Sequence, residues 1–201
     1  GMYHTNGLVQ LMKNILNVGV VVVLLQSAVW LRTPANASKI TEYFFLLVST
    51  LIEMNFMISS GDFLTLYLGL ELATIPIAAL AAFIHFNTKS SEAGIKLLLS
   101  SALSSGILLY GISMIYGSCG SIYFDVIGAS YTQSNVPLQV LAFIFFFTGM
   151  AFKISLVPFH LWTADVYQGA PTSVTSYLSV VSKGAAAFAA FVVLTQAFGA
   201  V

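Results

Sequence analysis

Apolar residues run through this chain in long blocks, and polar residues gather in the short stretches between them. A membrane helix needs about 20 mostly apolar residues at roughly 1.5 Å rise each. The pattern predicts spans near 11–31, 42–60, 63–84, 92–117, 136–166 and 172–196, an all-α polytopic transmembrane helix bundle of about six spans. The fifth span differs from the rest. As one straight helix it would run roughly 45 Å, against a hydrocarbon core of about 30 Å. Pro158 lies inside it, where the ring removes one backbone hydrogen bond and meets the carbonyl of Ile154. A helix broken near Pro158 is therefore predicted, at a place where other helices or a polar cavity satisfy the freed backbone groups. The 118–135 stretch, with Gly120, Ser121, Tyr131 and Asn135, reads as an ordered polar connection.

Composition agrees with lipid as the solvent. The chain is 58% hydrophobic and 7% charged, whereas a soluble domain carries about 25% charged residues. Net charge is zero, which leaves no electrostatic case for binding nucleic acid. Cys119 is the only cysteine, so it makes no internal disulfide and cannot supply the several ligands of a zinc or iron–sulfur site. No G-x-G-x-x-G or P-loop stands anywhere, so no site for NADH, flavin or ATP is expected in this chain, and no metal site. Gly1-Met2-Tyr3-His4 opens no signal peptide, and Val201 follows an apolar run directly. Both ends read as cuts through a longer protein, within one transmembrane domain over 1–201.

Loop charges predict the orientation. Arg32 and Lys39 lie between the first two spans and Lys89 between the third and fourth, while the opposite loops hold Asp62 and Asp125 without Lys or Arg. The positive-inside rule puts the 32–41 and 85–91 loops in the cytoplasm, with Lys13 mildly against it.

The remaining charges are Glu53, Glu71, Lys96, Lys153 and Lys183, within or near the apolar spans. Each charge at mid-helix costs about 2.5–3.5 kcal/mol on insertion scales. Such groups face the bundle interior, pair with each other or line water. Glu71 is about 12 Å inside its span, too deep for a short carboxylate stem to reach the surface, and Pro76 makes room beside it. The alternative is an interhelical ion pair without further role. Lys153 stands about one turn before the predicted break, near Ser155 and His160. Lys183 sits mid-span among small residues that permit close packing. Lys96 is only a few residues into its span, and can snorkel or pair with Glu92 at i, i+4. Burial loosens a lysine's hold on its proton and a nearby carboxylate tightens it, so a row of interior lysines can exchange protons near neutral pH. His160 reads equally as a relay or as a side chain satisfying the broken helix. His85 and His4 read as solvated. Glu53 has no evident partner, and Trp30 and Trp162 fit interfacial or cavity-rim positions.

The stretch Phe152–Thr172, reading Phe-Lys-Ile-Ser-Leu-Val-Pro-Phe-His-Leu-Trp-Thr-Ala-Asp-Val-Tyr-Gln-Gly-Ala-Pro-Thr, closely resembles the signature of the antiporter-like subunits of respiratory complex I. Leu68–Pro76, Ser91–Lys96 and Leu109–Gly117 resemble the subunit N branch of that group (the counterpart of mitochondrial subunit 2), in the same order. The resemblance covers roughly 40–196. It implies a bundle with two inverted five-helix repeats, of which 42–196 is the first, preceded by one extra helix. It also implies proton translocation coupled to quinone reduction, in a non-redox subunit of NADH:quinone oxidoreductase in the bacterial inner membrane. NADH, FMN, iron–sulfur clusters and quinone would be bound by other subunits of the complex, its partners besides the lipid bilayer. By motif, Glu71 takes the glutamate role, Lys153 the broken-helix lysine, Lys183 the connecting lysine and Lys96 an additional one. Ala164 stands where many members have a second proline, and Glu53 falls outside the pattern. The second repeat and its lysine are absent from these residues, which leaves half of a path. Two other readings stand beside this one: a subunit of a multi-subunit cation/proton antiporter, and an assembly scaffold with passive interior charges.

Overall fold

The computed structural model describes residues 1–34, 36–84, 86–130 and 136–198, apart from the Ser130 side chain. His85, Tyr131 and Asn135 lie outside the described residues. The chain is nearly all helix: α1 (Gly7–Leu31), α2 (Ile40–Ile58), α3 (Phe63–Ala81), α4 (Thr88–Cys119), α5 (Phe124–Ser130), α6 (Val136–Ile154), α7 (Leu161–Gly169), α8 (Thr172–Tyr177) and α9 (Lys183–Gln196). A π-helical turn, Leu178–Ser182, joins α8 to α9 without interruption. Among the described residues, six helical stretches are long and apolar enough to cross a membrane. Their outer faces carry bare apolar side chains such as Val29, Phe45, Ile75 and Leu103, which only a lipid solvent tolerates in such number.

The break falls where the proline chemistry puts it. α6 stops at Ile154, the residue whose carbonyl the Pro158 ring would meet, and α7 begins at Leu161. Between them Ser155 takes φ 66°, a left-handed conformation that costs a non-glycine residue about 1–2 kcal/mol. The Thr163 hydroxyl donates to Ser155 Oγ at 2.8 Å, and the Trp162 indole donates to the Phe152 carbonyl at 3.2 Å. Side chains thus take over part of the hydrogen bonding that the broken helix gives up.

Length by itself would have misled. α4 spans 32 residues, as long as the segment expected to break, yet it continues unbroken because it holds no proline. It starts at Thr88, earlier than the predicted 92, under an Asn87 cap whose side chain accepts from the Lys89 amide at 3.0 Å. The 118–135 stretch, read as a loop, contains the short helix α5.

Small residues set the helix spacing. Gly111 of α4 faces the α6 backbone, where an added Cβ would come 2.5 Å from the Phe146 nitrogen. Reciprocally, a Cβ on Gly149 of α6 would stand 2.6 Å from Leu108 Cβ. The two long helices therefore cross at backbone contact, as membrane helices do where small residues meet. Gly69 of α3 lies against Met57 of α2 in the same way. Two buried tyrosines tie α2 to the last span: Tyr43 donates to Ser173 at 3.0 Å, and Tyr177 lies 2.8 Å from the Thr50 hydroxyl.

Candidate functional site

Two of the charges, Glu71 and Lys153, meet where α3, α4 and α6 come together. α3 is started by Asp62, whose side chain accepts from the Thr65 amide at 2.8 Å. It continues through Pro76, and so carries Glu71 and Thr74 on one face, three residues apart. Lys153, in the last turn of α6, reaches that face: its Nζ donates to Thr74 Oγ1 at 3.0 Å and lies 3.6 Å from Glu71 Oε1. Thr74 in turn donates to the Leu70 carbonyl at 2.8 Å, so its oxygen is turned as an acceptor toward the lysine. From α4, the Ser105 hydroxyl donates to the same Oε1 of Glu71.

Lys153 is the more enclosed partner, with 12% of its side chain exposed against 32% for Glu71. At 3.6 Å the ion pair attracts without a direct hydrogen bond, so it can part without breaking one. A cavity of about 50 Å³ begins beside Lys153 and is lined by Thr74, Ser101, Trp162 and Ser182 among apolar neighbours. Ser182 directly precedes Lys183.

Lys183 opens α9 immediately after the π-helical turn. Its ammonium stands over two aromatic faces, 4.9 Å from the Tyr167 ring and 5.8 Å from that of Trp162. Such cation–π contacts accept a charge and leave it able to move, since the rings offer no proton acceptor.

Of the residues expected from sequence, Glu71 and Lys153 are in contact, and Lys183 stands over the ring of Trp162, which lines the same cavity as Lys153. Lys96 stands apart. It is 43% exposed, and its Nζ lies 2.6 Å from both Glu92 Oε1 and Asp165 Oδ2, so the i, i+4 pair with Glu92 forms and a second carboxylate joins it. His160 is exposed just before α7, and among the described residues no ion pair or hydrogen bond joins its side chain to the cluster. Glu53 on α2 is half-buried and Oε2 has no hydrogen-bonding partner among the described residues. Trp162 takes a cavity-rim position, while Trp30 closes on Tyr43 and Phe83 at 6.0 Å.

Sequence reasoning missed Thr74, Ser105 and Asp165. The serines of α4 carried a signal: Ser101, Ser104 and Ser105 recur at helical spacing and are all buried, a polar stripe on an otherwise apolar span. Asp165 lay inside the 136–166 segment and belonged among the interior charges from the start.

Residues 60–200 match the family model described as NADH:quinone oxidoreductase/Mrp antiporter, transmembrane. Among curated relatives, NADH-quinone oxidoreductase subunit N of Phocaeicola vulgatus is 55% identical over 199 residues, covering 99% of this chain and 42% of the relative. Among solved structures, respiratory complex I from Thermus thermophilus with bound aureothin matches with a TM-score of 0.80 at 30% identity, over 94% of this chain and 40% of that one. The Mrp complex from a Dietzia species matches with a TM-score of 0.69 at 22% identity, over 77% of this chain and 29% of that one, a likeness of fold alone. The chain thus spans less than half the length of these proteins.

Proposed function

This chain belongs to the NADH:quinone oxidoreductase/Mrp antiporter transmembrane family, and from that premise we propose that it is the first repeat of a proton-translocating membrane subunit of NADH:quinone oxidoreductase. Residues 42–196 form that repeat and α1 is the added helix. The subunit does no redox chemistry of its own; NADH, FMN, iron–sulfur clusters and quinone act on other subunits, and the energy arrives through neighbouring membrane helices. The complex sits in the bacterial inner membrane with the 32–41 and 85–91 loops in the cytoplasm.

The observation that carries the reading is the Lys153 ammonium, held between Glu71 and Thr74 beside a cavity that Ser182 also lines. An ammonium keeps its proton more tightly beside a carboxylate than alone in a site of low dielectric. Drawing the Glu71 charge toward a neighbouring subunit weakens that hold, and the proton moves off Lys153. One water needs roughly 10–15 Å³ of such space, so the cavity accommodates a short hydrated link between Thr74, Ser101 and Ser182. Lys183 gives up its own proton onward and, as the neutral amine, receives the one that leaves Lys153. Ser105 keeps Glu71 oriented when the lysine is away.

Glu71→Gln in the full-length subunit of the intact complex tests this. Gln keeps an oxygen for the Ser105 hydroxyl and removes the switching charge. Proton pumping and NADH-driven quinone reduction are expected to fall by about tenfold or more with assembly retained. Normal activity per assembled complex with poor assembly would favour the scaffold. Sodium-dependent exchange needing neither NADH nor quinone would favour the antiporter, a reading kept open by the fold shared with the Mrp complex.

A further inference from the structure

The half-helix α7 reaches toward all three membrane lysines, and the proton path above does not account for that. On one side Asp165 takes the Lys96 ammonium of α4 at 2.6 Å, and Glu92, one turn back on α4, holds the same nitrogen at 2.6 Å. Gly169, at the end of α7, lies so close to α4 that an added Cβ would stand 2.7 Å from Ala93 Cβ. On its other side α7 presents Trp162 and Tyr167 to the Lys183 ammonium. The Trp162 ring also stacks on Phe152 at 5.5 Å and its indole donates to the Phe152 carbonyl, directly beside Lys153.

We infer that α7 is a positioning element held by an ion clamp: Lys96 and Asp165 set where Trp162 and Tyr167 stand over Lys183, and Trp162 conveys that position to Lys153. Lys96 stays protonated there as a fixed charge and takes no part in proton transfer. The inference rests on the proton-path reading of Lys153 and Lys183. α7 has 9 residues, fewer than the roughly 12–15 at which an isolated helix becomes even marginal. The non-helical turns at 155–160 and 170–171 flank it, so tertiary contacts determine its place. A half-exposed ion pair contributes little to stability. This one joins two helices through one nitrogen and two carboxylates, which suits it to orientation.

Arginine separates a clamp from a carrier. A guanidinium keeps the charge and can fork between two carboxylates, but does not release its proton inside a protein. In the full-length subunit within the assembled complex, Lys96→Arg is expected to keep proton pumping within about twofold of the unmodified protein. Lys96→Gln and Asp165→Asn are each expected to lower it by about threefold or more per assembled complex, and Trp162→Ala likewise, with little further loss when combined with Asp165→Asn. Lys96→Arg failing as badly as Lys96→Gln would make Lys96 a carrier and overturn the inference. So would Asp165→Asn or Trp162→Ala without effect, or losses that simply multiply. Lys153→Ala pumping normally would instead overturn the proton path itself, whatever the Lys96 series gives.

Discussion

Lys153→Arg, placed in the full-length subunit of the intact complex, is expected to preserve assembly and to cut proton pumping by at least about tenfold. The reasoning starts from what the substitution leaves alone. Arginine retains the positive charge, so Glu71 keeps its ion partner and no buried carboxylate is left bare, a loss that costs about 3–5 kcal/mol in fully buried pairs. The longer head has somewhere to go, because the cavity begins beside Lys153. What the substitution removes is proton release, since a guanidinium stays charged throughout the accessible pH range. Proton uptake by membrane vesicles and quinone reduction measured on the same preparation check the outcome. An arginine protein that pumps at the normal rate would mean that Lys153 supplies charge alone. The same substitution thus has opposite expected results at two lysines: loss at Lys153 and retention at Lys96.

The second large effect is on folding. Gly111→Ala is expected to destabilise the bundle by about 1–3 kcal/mol, because the new methyl meets the α6 backbone, which has no rotamer to give. At 2.5 Å from the Phe146 nitrogen, it forces α4 and α6 apart. Gly149→Ala meets Leu108 Cβ and Cα on the same crossing and should cost a similar amount. The double variant should lose less than the sum of the two, because separating the helices once relieves both contacts. Thermal denaturation of the full-length protein in detergent measures all three. Strict additivity would show that the two glycines do not share one crossing. Ser104 donates to the Gly149 carbonyl at 3.2 Å and Ser105, its neighbour, holds Glu71. A shift of this crossing therefore also moves the site, and the residual pumping of either glycine variant should fall with its stability.

Much of this protein is legible in one dimension because its solvent is so demanding. Lipid offers no hydrogen bonds, so each span must be helical and apolar over a known length. Six spans, the break before Pro158 and the expense of Glu71, Lys153 and Lys183 follow from that alone. Each is a property of a single segment and of the medium around it. Partnership is a different kind of fact. Whether Lys96 snorkelled, paired along its own helix or crossed to another could not be read from α4, since the second carboxylate, Asp165, arrives from 69 residues away. Ser105 finds Glu71 only because the glycine-set crossing of α4 and α6 and the path of α3 bring the two within reach. The 32-residue α4 stays whole while a segment of similar length breaks, because local backbone chemistry at a proline outweighs overall length. Hydropathy along the chain already dictates which segments have to be helical and which charges cannot face lipid. Which charges meet emerges in three dimensions, because it depends on helix crossings set by side-chain volume at a few small residues, a distance that neither hydropathy nor periodicity encodes.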